Sequence, residues 1–509
     1  MRNLCPLLVV LLLLPPFFAS TYAQGNLKTQ DIEEQIERAC QTLEPGGLAV
    51  AVIKDGKTEV LYTYGEKSSR SGEAVTPRSL FNIASCSKAF TAASIAILVQ
   101  EGKLDWKDKV TEYIPELKLG DPYITGKLNI IDMLAHRSGL STFTGDLLWY
   151  QTDYTNEQII QRMEYLPIEN NFRSEFGYQN NMYMVAGEIV EKVTGQTWSR
   201  FIRERFFEPL DMTTTVASYD ELSGDEDIAY PHYKGEQMEL YDFNGTKPAA
   251  SIYSNITDLS AWVKMWLNGG QVEEGTILEE EVLEMCLSPH TLLNVSSAQQ
   301  ERGTQFRAYG LGWSMYDYLG AKVVEHNGGM PGYLSKVTMV PEDNLGIIIL
   351  NNGFDLFIRR AILFSLLDRY LGADEKKDWI GRMKQAGENY AKSVKSSAEK
   401  RLEQRIEGTD PSLKQGAYTG IYQDHFYGKA EVKIQEGKLH LTLLPAASTF
   451  TSSMKHWHFD TFRVDFKDPF LPFGLITFDF NSKGTIQGFS IDLPSRDFHF
   501  QNLYFKKKQ

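Results

Sequence analysis

Ser85 and Lys88 are the residues whose types and spacing most directly suggest chemistry. They stand in Ser85-Cys86-Ser87-Lys88, at the head of an apolar run from Ala89 to Leu98 that Gly102 ends. Residues three apart share one face of a helix, so the hydroxyl and the amine can touch. The free N–H groups and positive dipole end of a helix start would surround the serine. A lysine whose pKa is lowered by burial can take the serine's proton and make its oxygen a nucleophile. Ser-x-x-Lys alone is common, and a capping serine followed by a solvated lysine reads the same way. The apolar residues after Lys88 distinguish this copy, because they predict a buried helix that holds the amine in a pocket. Metal and nucleotide chemistry find no comparable pattern. His456 and His458 alternate with Trp457 on one strand face, but a zinc site takes three or four protein ligands. Gly328-Gly329 lacks the strand–turn–helix setting of a phosphate loop, so neither metal nor cofactor is expected.

Several elements must hold such a site. Leu48 to Ile53, a turn at Asp55-Gly56 and Val60 to Tyr64 form a hairpin signal. Leu334 to Val340, a turn at Asp343-Asn344 and Ile347 to Leu350 form another, and an amphipathic helix follows from Phe354 towards Leu371. Helical segments lie between: Lys88 to Val99, Ile130 to Ala135, Asn181 to Val193, Trp198 to Phe207 and Leu259 to Trp266. Early strands, helices and late strands predict an α+β domain whose sheet is assembled from both ends of the segment. Glu375 to Glu407, rich in Lys, Glu, Gln and Ala, predicts a polar helix joining two domains. Beyond Tyr418, short strands are expected at Ala430 to Ile434, Leu439 to Leu444, Phe462 to Phe466, Leu475 to Phe480, Phe489 to Ile491 and Phe498 to Phe505. They suggest a small antiparallel barrel or sandwich. Its aromatics, including Phe426, Trp457, Phe459, Phe462, Phe470 and Phe473, are expected mostly in a core, with a minority lining a cleft.

The chain has 509 residues, 42% hydrophobic and 23% charged, which suits a soluble globular protein of two or three domains. With 52 Lys and Arg against 66 Asp and Glu, the net charge of −14 argues against a nucleic-acid partner. Met1 to Ala23 has the pattern of a secretory signal cut before Gln24. Read instead as a membrane anchor, its apolar part is too short and is broken by Pro15 and Pro16. A secreted or periplasmic protein with no remaining anchor is expected. Cleavage removes Cys5 and leaves Cys40, Cys86 and Cys286, which allow one disulfide and at least one free thiol.

Ser-x-x-Lys in this setting resembles the first motif of the penicillin-recognising serine hydrolases. Within them the chain is most similar to the class C β-lactamase superfamily, which also contains DD-peptidases, D-aminopeptidases and esterases. The resemblance covers residues 35 to 370 and is carried by Phe81 to Lys88, Gly102 to Asp105, Val110 to Pro115 and Tyr309-Gly310-Leu311-Gly312-Trp313. Leu134 to Leu140 resembles a His-x-Ser-Gly-Leu loop, which makes His136 a structural histidine rather than a base. Tyr178-Gln179-Asn180 resembles the second motif, Tyr-x-Asn. It implies that Tyr178, with a pKa depressed by the lysine, shares the serine proton with Lys88. Which of the two is the base stays open. Asn180 would bond Lys88 and a substrate carbonyl. His326-Asn327-Gly328 stands where Lys-Thr-Gly is usual. By the same resemblance these three bind substrate, Gly328 leaves it room, and the Gly329 and Ser85 N–H groups form the oxyanion hole.

The histidine at 326 departs from the usual lysine and weakens the positive charge offered to a substrate carboxylate. The resemblance therefore implies an exported serine acyl hydrolase acting on short or D-amino-acid-containing peptides, amides or esters, some of them peptidoglycan-derived. A β-lactamase or broad carboxylesterase with the same residues is the first alternative. A catalytically weak binding protein for cell-wall material or peptide is the second. The expected division is a signal peptide at 1–23, a β-lactamase-like domain at 24–373, a helical linker at 374–410 and a lipocalin-like barrel at 411–509.

Overall fold

The computed structural model describes residues 29–375 and 377–508. The expected signal peptide lies outside the described residues. Eight strands form the first sheet: β1 (Leu48–Lys54), β2 (Lys57–Tyr64), β3 (Thr291–Leu292), β4 (Arg307–Tyr309), β5 (Ser314–Tyr318), β6 (Ala321–Met330), β7 (Tyr333–Val340) and β8 (Leu345–Asn351). Their spatial order is β2-β1-β8-β7-β6-β5-β4-β3, with each neighbour antiparallel. The sheet is indeed built from both ends of the segment, since Leu48 pairs with Asn351 and Lys54 with Leu345.

Both faces of this sheet are covered, and β1 shows why. Leu48, Val50 and Val52 point to one side, and Ala49, Ala51 and Ile53 to the other. A strand apolar at every position needs partners on both faces. The first side packs on helices α1 (Thr29–Leu43) and α5 (Ile358–Tyr370) through Ile32, Ile36, Ile362 and Leu366. The second packs on the helical region, where α2 (Ser87–Gln100), α3 (Asn180–Thr194) and α4 (Ile256–Leu267) lie. Every residue of α2 from Ser87 to Leu98 is buried, as expected of a helix with apolar residues on all faces.

Helix α6 (Trp379–Glu403) leads to a second, smaller domain built on a nine-stranded antiparallel sheet. Its strands are β9 (Gly420–Asp424), β10 (Gly428–Gln435), β11 (Lys438–Leu443), β12 (Thr451–Ser453), β13 (Lys455–His458), β14 (Thr461–Val464), β15 (Gly474–Phe480), β16 (Ile486–Asp492) and β17 (Tyr504–Lys507). The order β12-β11-β10-β9-β17-β16-β15-β14-β13 puts consecutive strands β12 and β13 at its two edges, so the sheet is almost a closed barrel. Tyr422, Phe478, Phe489 and Phe505 pack inside it. The strand expected at Phe498 to Phe505 begins only at Tyr504. Phe498 sits in the preceding loop, where it packs on Tyr150 of the first domain with ring centroids 4.1 Å apart. Local hydrophobicity does not distinguish a strand from a segment docked on another domain. Cys40, Cys86 and Cys286 are free and buried, so the possible disulfide is not formed.

Candidate active site

Ser85 lies in a single 3₁₀ turn, Ala84–Cys86, that runs into α2. Ala84 has φ +48°, a left-handed conformation that a residue with a Cβ keeps only when its surroundings impose it. Its N–H donates to Asn82 Oδ1 at 2.7 Å. Behind the turn, Ser335 Oγ donates to Ile83 O at 2.6 Å, and Cys86 Sγ lies 3.4 Å from His326 O. Strands β6 and β7 thus hold the strained turn. Gly328 permits this approach, because a Cβ there would lie 2.0 Å from Ser335 Oγ and 2.2 Å from Ile83 O. The room expected at Gly328 for a substrate is therefore taken by the protein's own Ser85 turn.

Lys88 is fully buried one helical turn on. Its Nζ is 3.2 Å from Ser85 Oγ, 2.6 Å from Asn180 Oδ1 and 3.0 Å from Ala249 O. The last two are acceptors only. A neutral amine has two N–H groups for them and one lone pair left for the serine hydroxyl. Burial pulls the lysine down to about 7 against the attraction of Asp146, so the base form is available near neutral pH.

Asn180 opens α3, and its Nδ2 donates to Asp146 Oδ2 at 2.6 Å. Asp146 is 2% exposed, and burial pushes its carboxyl up to about 7. One amide thus connects a buried carboxyl to the buried amine. Asp146 escaped the sequence reading, because it lies 34 residues from Asn180 in a stretch without a motif.

Tyr178 is half-buried and lies beside Ser85. Lys88 Nζ lies 4.7 Å from its ring centroid. Burial raises the phenol well above its ordinary range, opposite to the depression expected from a neighbouring lysine. The same burial lowers Lys88, so the charge that would have depressed the phenol is itself weakened. The tyrosine segment is clamped by Tyr178 N–H to Thr142 Oγ1 at 3.1 Å, Phe143 N–H to Tyr178 O at 2.8 Å and Gly177 N–H to His136 O at 2.8 Å. A Cβ on Gly177 would lie 1.8 Å from Leu140 O. His136 packs against Tyr178 with ring centroids 4.3 Å apart, and its Nδ1 accepts from Gln179 N–H at 3.0 Å. Its bonds support the tyrosine segment, in line with a structural histidine.

Strand β5 pairs with β6 only as far as Glu325. From His326 onward, β6 keeps β7 on one side and meets the cavity on the other. His326 Nε2 is 2.9 Å from Tyr309 OH, and Nδ1 is 2.8 Å from Asn327 O. Burial, with Lys88 nearby, pulls the imidazole down to about 3, so it is neutral near pH 7. Its ring lines the cavity with both nitrogens engaged by the protein. Asn327 is exposed there, its Nδ2 3.3 Å from Glu325 Oε1. Arg359 of α5 was also missed. It is 7% exposed, and its Nη1 donates to Gly328 O at 2.9 Å and to Ser335 O. A visible signal existed, since Arg359-Arg360 directly precedes the apolar run Ala361 to Phe364 of the helix.

Ser85, Tyr178, Asn180, His326, Asn327, Gly328 and Gly329 line one cavity of about 1220 Å³, with Lys88 beneath it. Apolar walls with a few convergent polar groups suit an organic substrate.

The chain is similar to the unguisins hydrolase ungD of Aspergillus violaceofuscus, at 26% identity over 84% of this chain and 81% of that protein. It is also similar to protein flp of Staphylococcus aureus, at 25% identity over 64% of each chain. Among solved structures, an octameric penicillin-binding protein homologue from Pyrococcus abyssi has a TM-score of 0.60 at 21% identity, covering 94% of this chain and all of that one. SurE with D-Leu gives a TM-score of 0.54 at 16% identity, covering 94% and 99%. Both show a shared fold. Residues 404–507 match DUF3471, a domain of unknown function, where a lipocalin-like domain was expected. Residues 34–363 match the beta-lactamase family, a match that spans the Ser85 turn, the tyrosine segment and β6, and to this family the chain belongs.

Proposed function

We propose that this protein is a hydrolase working through a Ser85 acyl-enzyme on amide or ester bonds of short peptides, D-amino-acid-containing ones among them. The observation that carries this reading is the buried Lys88 amine, 3.2 Å from Ser85 Oγ, with its other two partners acceptors only. Neutral Lys88 takes the Ser85 proton as the oxygen bonds to the substrate carbonyl carbon. The carbonyl π electrons move to its oxygen, which the Ser85 and Gly329 N–H groups hold. Collapse restores the carbonyl and expels the amine or alcohol, which takes a proton from Tyr178. Lys88 reprotonates the tyrosine. Water then attacks the Ser85 ester and loses its proton to Lys88, and collapse releases the acid as Lys88 passes that proton to the departing Ser85 oxygen, which restores the hydroxyl and the neutral amine. A neutral Tyr178 serves this scheme as acid, and Lys88 is the base.

Arg359 supports the oxyanion hole in this reading. Its guanidinium bonds the carbonyl of the Gly328–Gly329 peptide at 2.9 Å. In a trans peptide the C=O and N–H point in opposite directions and share one delocalised system. Drawing electron density to the carbonyl makes the Gly329 N–H a stronger donor.

The uncharged His326 favours peptides, amides and esters over β-lactams bearing a carboxylate. The hydrolase named among the relatives supports the same class. In this reading the class C-like hydrolase domain spans 24–373, with 374–410 as linker and 411–509 as the second domain, and residues 1–23 direct export. Intact-mass time courses with benzylpenicillin, used as an acylating probe, and with a p-nitrophenyl ester test the nucleophile. A mass adduct or burst with the native protein, absent in Ser85→Ala, is expected. Equal turnover by folded Ser85→Ala overturns the reading.

A further inference from the structure

The catalytic cavity has walls that the chemistry above does not use. Two loops of the second domain reach it, one through Phe470 and one through Arg496 to Phe498. Phe470 packs on Phe354, centroids 5.0 Å apart, and on Tyr233 at 4.4 Å. Phe354 and Tyr390 also line the cavity, and they are 42% and 39% exposed. Tyr390 of α6 meets Phe357 with centroids 6.2 Å apart and carries the Arg496 guanidinium 5.6 Å from its ring centroid, so the loop after β8, helix α6 and the second domain all contribute to this wall.

The loop that carries Phe470 is fixed in place. Asp468 accepts from Phe470 N–H at 2.9 Å through Oδ1 and from Tyr150 O–H at 2.6 Å through Oδ2, the latter a buried bond between domains. Its preorganisation lowers the ordering cost of binding. The direction of β6 relates the cluster to the nucleophile. The free edge of β6 runs from His326 to Met330 and ends at the Pro331-Gly332 turn, whose Gly332 O accepts from His232 N–H beside Tyr233. An extended chain along that edge passes Ser85 and arrives at Phe354 and Phe470. Rings left in part exposed at the end of such a track gain free energy when a substrate side chain covers them.

We infer that Phe354, Tyr390 and Phe470 form an aromatic subsite that receives a large apolar side chain of the peptide substrate, distant from the scissile carbonyl. The second domain then selects longer apolar peptides over small acyl compounds. This inference rests on the proposed Ser85 hydrolysis.

The test uses the full chain with p-nitrophenyl acetate and with a series of peptide p-nitrophenyl esters that carry Gly, Leu or Phe at the distal positions. Native protein should prefer Leu and Phe over Gly. Phe470→Ala and Phe354→Ala should lower kcat/KM for the Leu and Phe esters about tenfold or more, chiefly through KM, and leave the acetate unchanged. Phe470→Leu should recover most of the loss, and a thermal midpoint confirms folding. An absent distal preference, or a loss equal for acetate and peptide in a folded variant, overturns the subsite. Equal turnover by Ser85→Ala is a different result, which removes the hydrolytic reading and the subsite with it.

Discussion

The floor and the seam of the cavity follow different building rules. At the floor, Lys88 joins Ser85 and Asn180 through hydrogen bonds and lies over the Tyr178 ring, and this central amine is fully buried with three partners. At the seam, Phe354, Tyr390 and Phe470 contribute half-exposed rings from three distant segments. Polar groups taken from water demand strict geometry, because each unmet bond is costly. Apolar contacts demand only shape and area. On the proposed function, reaction type is thereby set by few residues, while substrate choice is spread over many and is easier to alter.

If this contrast holds, changes at the floor should remove turnover and changes at the seam should only reorder substrates. Ser85→Ala should give the largest effect, a loss of about a thousandfold or more in turnover at unchanged thermal midpoint. Intact mass and stopped-flow assays with a p-nitrophenyl ester check it. Gly177→Ala should come next, since its Cβ would strike Leu140 O and displace Tyr178. A lower thermal midpoint together with lost activity is expected. Arg359→Met should lower kcat for an ester without a carboxylate by roughly tenfold, below the cost of deleting an oxyanion donor outright, with KM little changed. A loss confined to carboxylate-bearing substrates would instead make Arg359 a carboxylate anchor.

The pH profile sharpens the same division. A base must be deprotonated to act, so kcat/KM should rise with pH through about 7, where Lys88 loses its proton. The negative charge of Asp146 raises Lys88, so Asp146→Asn should move that rise to lower pH by up to about one unit. A rise that stays in place or moves upward would remove Asp146 from the relay. The smallest effect is expected from His326→Lys. It should shift the ranking towards carboxylate-bearing substrates by a few fold, and an unchanged ranking would show that position 326 does not address the ligand.

The sequence was legible where chemistry and periodicity are local. Ser85 and Lys88 lie one helical turn apart, and α2 begins and ends within one residue of the expected Lys88 to Val99. Within strand β6, Lys322 to Glu325 reads as strand-like, whereas His326 to Gly329 reads as polar and glycine-rich. The strand continues to Met330, since β7 supplies the backbone bonds that its side chains do not advertise. Asp146 and Arg359 were missed for another reason. Each acts on the centre through another group, Asn180 or the Gly328 carbonyl, and such relays leave no spacing in the chain. Among the second-domain aromatics, Phe470 proved to line the cavity while Phe426 and Phe462 are buried, a distinction that only the docking of the two domains decides.

The pairing of β1 with β8 has a consequence for how the molecule comes into being. Leu48 and Asn351 are neighbours in the sheet and some three hundred residues apart in the chain. Contacts of such sequence separation raise contact order and slow folding. A nascent chain that has not yet released β8 from the ribosome lacks the strand between β1 and β7, on which the Ser335 and Arg359 contacts depend. The Ser85 turn therefore has no rigid support until synthesis has passed residue 359, and truncations short of that point should be inert however intact their Ser85 and Lys88.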